Sequence, residues 1–255
     1  MNLLSVGNPK TLKGMKQGYM SYILHLAPYT LSGHNTCPKA TPGCISACLN
    51  TAGRGGMFKK GEFTNNIQKA RIRKTNLFFD NRTEFMRLLV KDIELAIKQS
   101  IKSDLIPVIR LNGTSDISFE KYSVIRNGIE YNNIMAAFPD IQFYDYTAVL
   151  GRKVNNISNY SLTFSAKENN DLDVIKAIEQ GYNVAMVFDL KKTLEFPEYY
   201  ENSYMKMPVF NGDDNDLRFL DPKGVIVGLY AKGKAKKDNS GFVKSFNFIP
   251  LMKAA

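Results

Sequence analysis

The chain has 255 residues, 44 % hydrophobic and 23 % charged, a length that buries about 70–75 % of the unfolded surface and a composition that excludes disordered tails, collagen-like repeats and coiled coils. With 34 basic against 24 acidic residues the formal charge is +10, a long-range pull toward a polyanion such as nucleic acid or a phosphorylated small molecule. No run of about 18 apolar residues occurs, and the first residues lack a secretory leader's basic start, apolar centre and cleavage site, so a cytoplasmic protein with no membrane partner is expected.

Residues 19–26 (YMSYILHL) are rich in β-formers and run into Ala27-Pro28, which predicts a first strand stopped by proline. His25 alternates within it and reads as a core or rim histidine. The loop at 27–56 that follows is crowded with Gly, Pro, Ser, Thr and Asn and far longer than an ordinary strand-to-helix connection, which marks it as functional. It holds all three cysteines, Cys37, Cys44 and Cys48, spaced C-x6-C-x3-C. Cys44 and Cys48 lie one helical turn apart, and Pro38 and Pro42 stiffen the loop that brings Cys37 across, so three thiolates can converge. An odd cysteine count without a leader argues against a disulfide framework. Three readings stay open: an iron–sulfur cluster on three cysteines, a structural zinc with His34 as fourth ligand, or unligated thiols packed as small hydrophobes.

Between residues 81 and 103, Phe85, Leu88, Leu89, Ile93, Ile97 and Ile101 recur at three- and four-residue steps, predicting an amphipathic helix. Strand-like runs follow at 106–111, 141–146, 161–164, 183–188 and 225–230, with a helix at 171–180 that turns Ile175 and Ile178 inward and ends at Gly181. Repeated βα units imply a parallel sheet. With no linker or internal repeat, residues 1–255 read as one α/β domain, and nothing fixes its oligomeric state. Polar residues gather where the strands end, at 112–116, 145–147, 165–168, 189 and 211–214, the edge at which parallel sheets bind ligands. Asp116 and Asp145, at neighbouring strand ends, form a candidate acid and nucleophile for base exchange or glycosyl transfer. Asp213, Asp214 and Asp216 crowd together without the glutamate of a calcium loop, so at least one is expected to bond a basic residue, Arg218 being nearest, or to cap a backbone turn, with Asn211 or Asp213 facing the pocket.

The strings CPKATPGCISACLNTAGRG, RLNGTSDI, FYDYT, LTFSA and NGDDNDLRFLDPKGVIVGLYAKGKA together resemble a bacteriophage-encoded family of gene-product-88-type proteins over almost the whole chain. That family is similar in turn to the radical S-adenosylmethionine (SAM) superfamily of partial β/α barrels, in which a three-cysteine loop after the first strand holds a [4Fe–4S] cluster. The superfamily spacing is C-x3-C-x2-C, and Ala47 stands where an aromatic residue usually precedes the last cysteine. The resemblance implies a partial or complete β/α (TIM-like) barrel in a host cytoplasm, with Cys37, Cys44 and Cys48 on the cluster. It also implies Asn112, Ser115 and Asp116 on SAM, and Asp145, Ser165 and Glu168 facing SAM or substrate. Arg71, Arg73 and Lys74 after the cysteine loop, and Lys232, Lys234, Lys236 and Lys237 after the last strand, would rim the same mouth, where a nucleic acid or nucleotide-like substrate fits; solvated lysines are the plainer reading. The expected function is a radical-SAM-like [4Fe–4S] enzyme acting on such a substrate, with a non-catalytic nucleic-acid-binding barrel holding zinc or free thiols as the alternative.

Overall fold

A computed structural model describes residues 1–6 and 9–245. In chain order the elements are β1 (Leu4–Ser5), α1 (Pro9–Met15), β2 (Tyr19–Leu24), α2 (Pro42–Ser46), α3 (Asn66–Asp80), α4 (Arg82–Lys102) and β3 (Ile106–Arg110). Then come β4 (Val124–Arg126), β5 (Ile129–Tyr131), α5 (Ile134–Ala137), β6 (Gln142–Thr147), β7 (Tyr160–Ser165), α6 (Asp171–Glu179) and β8 (Asn183–Phe188). The last are β9 (Tyr199–Glu201), β10 (Lys206–Asn211), β11 (Ile226–Tyr230) and β12 (Val243–Lys244).

One sheet runs β1-β2-β3-β6-β7-β8-β11-β10-β9. Every neighbouring pair from β2 to β10 is parallel, and β1 and β9 close the margins antiparallel. The α/β class with a mostly parallel sheet is therefore the architecture. The sheet is open: among the described residues β1 and β9 do not pair with each other, so no closed TIM-like barrel is formed. β7 pairs with β8 only as far as Ala185, and β12 takes up that edge at Val187 and Phe188.

Parallel pairing needs crossovers, and the helical ones described next cover one face of the sheet. Asn81 starts α4 by accepting the Glu84 N–H, and the helix lays Phe85, Leu89, Ile93 and Ala96 on Tyr22, Leu24, Ile109 and Phe143. Each such side chain contributes about 1.5–3 kcal/mol by leaving water. Asp92 on α4 accepts the N–H groups of both Leu3 and Leu4, which fastens β1. On α6 the buried residues are Val174 and Ala177, with Ile178 beside them and Ile175 only half-buried, so the inward face is rotated from the expected one. Gly181 at φ +82° ends that helix.

The opposite face is lined by Val108, Tyr144, Ala185 and Val227 and is covered by the connection between β10 and β11, whose Leu217 and Phe219 pack on Val108, Tyr144 and Tyr19. No helix among the described residues is long and apolar enough to cross a membrane.

Candidate functional site

The long loop after β2 lies over the carboxyl ends of the strands. Pro42 opens α2, Thr41 caps it by accepting the Cys44 N–H at 3.4 Å, and Cys44 and Cys48 follow within the next turn. Cys37 Sγ accepts the Tyr29 N–H at 3.3 Å and lies 3.9 Å from the Thr114 carbonyl; Cys48 Sγ accepts the Asn50 N–H at 3.5 Å. The three are half-buried free cysteines. Burial pushes every thiol up, Cys44 to about 11, where the charges of Cys48 and Cys37 add to the effect. At Cys37 the bonds from Tyr29 and Thr36 oppose the rise, and at Cys48 the Asn50 N–H and the Arg71 charge do so.

The thiols are thus within electrostatic reach of one another. Among the described residues, however, no three His, Cys, Asp or Glu side chains gather as ligands of one ion. His34 is engaged elsewhere: its ring stacks on Phe79 at 4.3 Å and its Nε2 lies 3.8 Å from Asp80 Oδ1, at the end of α3.

Distant residues hold this loop down. The Asp116 N–H donates to the Thr36 carbonyl, and the Thr114 hydroxyl to that of Leu26, which ties the loop to the end of β3. After β7, Lys167 Nζ donates to the Lys39 carbonyl at 2.7 Å, while Glu168 accepts the Gly43 N–H at 2.8 Å and the Thr41 hydroxyl at 2.7 Å. Partial burial opposes ionisation of Glu168, but the bonds from Thr41, its own amide and Gly43 outweigh it and hold the carboxyl below its ordinary value. Beyond β11, Gly233 lies against Thr51 and Ala52, and Ala235 is buried with Ala47. The small side chain of Ala47 is what lets the segment after β11 lie against the cysteine-bearing turn.

Asn112 bonds wholly within its own surroundings: its Oδ1 accepts from Ser115 and from the Ile117 N–H, and its Nδ2 donates to the Ile117 carbonyl and to Asp145. Asp145 also accepts the Asn112 N–H at 2.7 Å and the Tyr160 hydroxyl at 2.9 Å. Strand alternation sets it on the same face as Phe143, toward the helices. Asp116 takes the Thr147 hydroxyl and the Ala148 N–H, each at 2.8 Å, and lies 3.5 Å from Arg152. Arg152 in turn pairs with Glu120. Burial raises both aspartates, Asp145 to about 6, against the pull of Arg110 and Arg152 on the latter. Every oxygen of this pair thus already has a donor, and the pair clamps the ends of β3, β6 and β7. Ser165 ends β7 half-buried, and its carbonyl accepts the Asn170 side chain.

Sequence reasoning missed the polar centre of the covered face. Arg110 donates to Asp216 at 3.0 Å, Tyr144 reaches the same carboxylate at 3.4 Å, and the Arg110 guanidinium sits 4.7 Å over the Tyr146 ring. The acidic stretch does bond basic residues, Asp213 with Lys232 and Asp216 with Arg110, but Arg218 is not the one it uses. Arg218 pairs with Asp221 at 3.3 Å, while Asp213 is taken by Lys232 and the Tyr230 N–H, and Asp214 by Asn211. His25, near the end of β2, is pushed down to about 3 by burial and then by Arg71, Arg110 and Lys74. An arginine inside the apolar run IPVIRL was the one available signal.

Of the basic residues, Arg71 donates to the Asn50 side chain and Lys74 to the Leu3 carbonyl, both half-buried, whereas Arg73, Lys234, Lys236 and Lys237 are exposed. A family model described as Gene product 88 matches residues 2–245. No curated protein and no solved structure matches the chain.

Proposed function

The chain belongs to the gene product 88 family, and on that footing we propose that it is an iron–sulfur enzyme of radical-SAM type acting on a nucleic acid or nucleotide-like substrate. The observation that carries this reading is the cysteine loop: three electrostatically coupled thiols at the carboxyl end of the first parallel strand, tied to the ends of β3 and β7. A single zinc ion needs four ligands around one point, and His34 is turned to Phe79 and Asp80 instead. A cluster held by three thiolates is the reading that asks for no fourth protein ligand. N–H groups at Cys37 and Cys48 and the charge of Arg71 near Cys48 offset part of the burial that raises these thiols.

Cys37, Cys44 and Cys48 would hold a [4Fe–4S] cluster, which supplies one-electron chemistry at the iron that no cysteine occupies. The chain's own work is positioning. Glu168 and Lys167 keep the loop over the strand ends, and Asn112, Asp116 and Asp145 brace the strands beneath it. The packing of Leu217 and Phe219 excludes water from the covered face. Strands that follow one another in nearly sequential order support a partial β/α barrel. For SAM itself, the Ser165 side chain is the group at hand, since Asn112, Ser115 and Glu168 are bonded within the fold.

Anaerobic reconstitution with iron and sulfide is the test. About four irons per chain and a broad visible absorbance are expected, each diminished by Cys37→Ser, Cys44→Ser or Cys48→Ser. Zinc without iron, with cysteine replacement affecting folding alone, would reject the enzyme and favour the non-catalytic nucleic-acid-binding reading.

A further inference from the structure

Beside the cysteines the chain builds a small closed loop from the residues MFKKGEFTN. Its base is fastened by side chains: Asn65 Nδ2 donates to the carbonyls of Arg54, Gly55 and Met57 at 3.3, 3.0 and 2.9 Å, and Gln68 Nε2 to that of Gly55 at 3.1 Å. Its tip is a turn, closed by the Glu62 N–H on the Lys59 carbonyl at 3.0 Å, with Gly61 at the φ of +83° that the turn requires. The residues on either side of the turn are Phe58 and Phe63. They stand 44 % and 95 % exposed, next to Met57 at 70 %. A loop held in shape by hydrogen bonds at its base is here presenting its aromatic rings to water, against the hydrophobic effect.

The surroundings are cationic. Arg54, Lys59 and Lys60 are exposed on the loop itself. Gly233 has no room for a side chain larger than hydrogen without crowding Thr51 and Ala52, whose atoms would lie 3.1 Å from its Cβ, and Ala235 is buried with Ala47. That packing sets the exposed Lys234, Lys236 and Lys237 alongside the loop's base. Two tracts far apart in sequence thus approach each other where the loop begins, one carrying exposed rings and cations and the other exposed lysines. The acidic residues of the two segments are Glu62 and Asp238, the latter held by Ser240 and the Val243 N–H.

Rings that stack on base faces, flanked by cations that meet phosphates, are the chemistry of single-stranded nucleic-acid binding; a duplex hides the faces of its bases. We infer that the loop carrying Phe58 and Phe63, together with the tract Lys234 to Lys237, is a docking surface for single-stranded nucleic acid. This rests on the nucleic-acid half of the proposed function and not on its iron–sulfur half.

The test is fluorescence anisotropy of the full chain with a labelled oligodeoxythymidine of about 12 nucleotides. The double variant Phe58→Ala/Phe63→Ala is expected to weaken binding roughly five- to hundredfold for each ring. Lys234→Ala/Lys236→Ala/Lys237→Ala should lower the salt-dependence slope by about 0.7 for each phosphate that is no longer neutralised. Both variants should keep the circular dichroism spectrum and iron uptake of the parent, since none of these residues touches a cysteine. Binding unaffected by either variant, preference for a duplex of the same length, or stronger attachment to phosphatidylserine vesicles would each overturn the inference. Failure to take up iron, with oligonucleotide binding still dependent on Phe58 and Phe63, would sink the enzyme reading and leave this surface standing.

Discussion

Gly43 and Glu168 are 125 residues apart in sequence, yet the Gly43 N–H donates to Glu168 Oε1 at 2.8 Å and no side chain fits between them. A Cβ at position 43 would lie 2.8 Å from the Glu168 carboxyl carbon and 2.3 Å from Ser240 Oγ. The cysteine-bearing turn therefore rests on the Glu168 carboxylate just beyond β7, and the lack of a side chain at Gly43 sets its height above the sheet.

Gly43→Ala should push the turn off Glu168 and destabilise the protein by about 1–3 kcal/mol. Urea denaturation measures the loss, and reaction of the thiols with a disulfide reagent should speed up in the same variant. Unchanged stability and thiol reactivity would mean that the turn does not depend on this contact.

Asp145 gives a pH dependence opposite in sign to ordinary acid denaturation. Its carboxyl is raised from 3.8 to about 6, so the folded state holds the proton more tightly than the unfolded state does. The linked stability is complete below about pH 4 and lost as pH rises through 6, an effect of roughly 3 kcal/mol. Asp145→Asn can still accept the Asn112 N–H and should remove this contribution. The difference between the two stability curves should change between pH 4 and 7; parallel curves would refute the assignment.

His25 works in the other direction. With its pKa depressed to about 3, its contribution is present above the ordinary value near 6.5 and falls away by roughly 1.4 kcal/mol per unit as pH drops toward 3. The chain has only two histidines, so its ring resonances are easily assigned. Those of His25 should not move between pH 8 and 5, and a midpoint inside that range would show that burial and the neighbouring cations do not depress it.

Arg110 and Asp216 form a pair whose side chains are only 11 % and 5 % exposed. Asp216→Ala leaves a buried guanidinium uncompensated and should cost about 3–5 kcal/mol. Arg110→Met/Asp216→Leu should cost much less than the sum of the single changes. Additive losses in that cycle would mean that the two groups do not interact.

The long apolar periodicities were legible because one burying face decides them. The helix expected over 81–103 is α4, and the runs at 183–188 and 225–230 are β8 and β11 within a residue. β10 was not legible because Pro208 cannot donate to a ladder and reads as a strand breaker, and its pairing with β9 is antiparallel at the sheet margin. β1 and β12 are two residues each and exist through partners elsewhere, Asp92 for one and the vacated edge of β8 for the other. At the site, the cysteines, Asp116 and Glu168 were readable as polar residues at strand ends. That Glu168 holds the cysteine turn and that Asp145 faces the helices depends on side-chain direction, which residue type alone does not encode.

Glu168 also sets an order of events during synthesis. Thr41 and Gly43 emerge from the ribosome well before the residue that secures them, and Ala235, which covers Ala47, is later still. At elongation rates of about 5–20 residues per second, the growing chain carries the turn that bears Cys44 without its Glu168 fastening for roughly 6–25 s. Whatever reaches that sulfur, an oxidant or a metal donor, has this interval in which to act before the end of β7 arrives and closes the loop down.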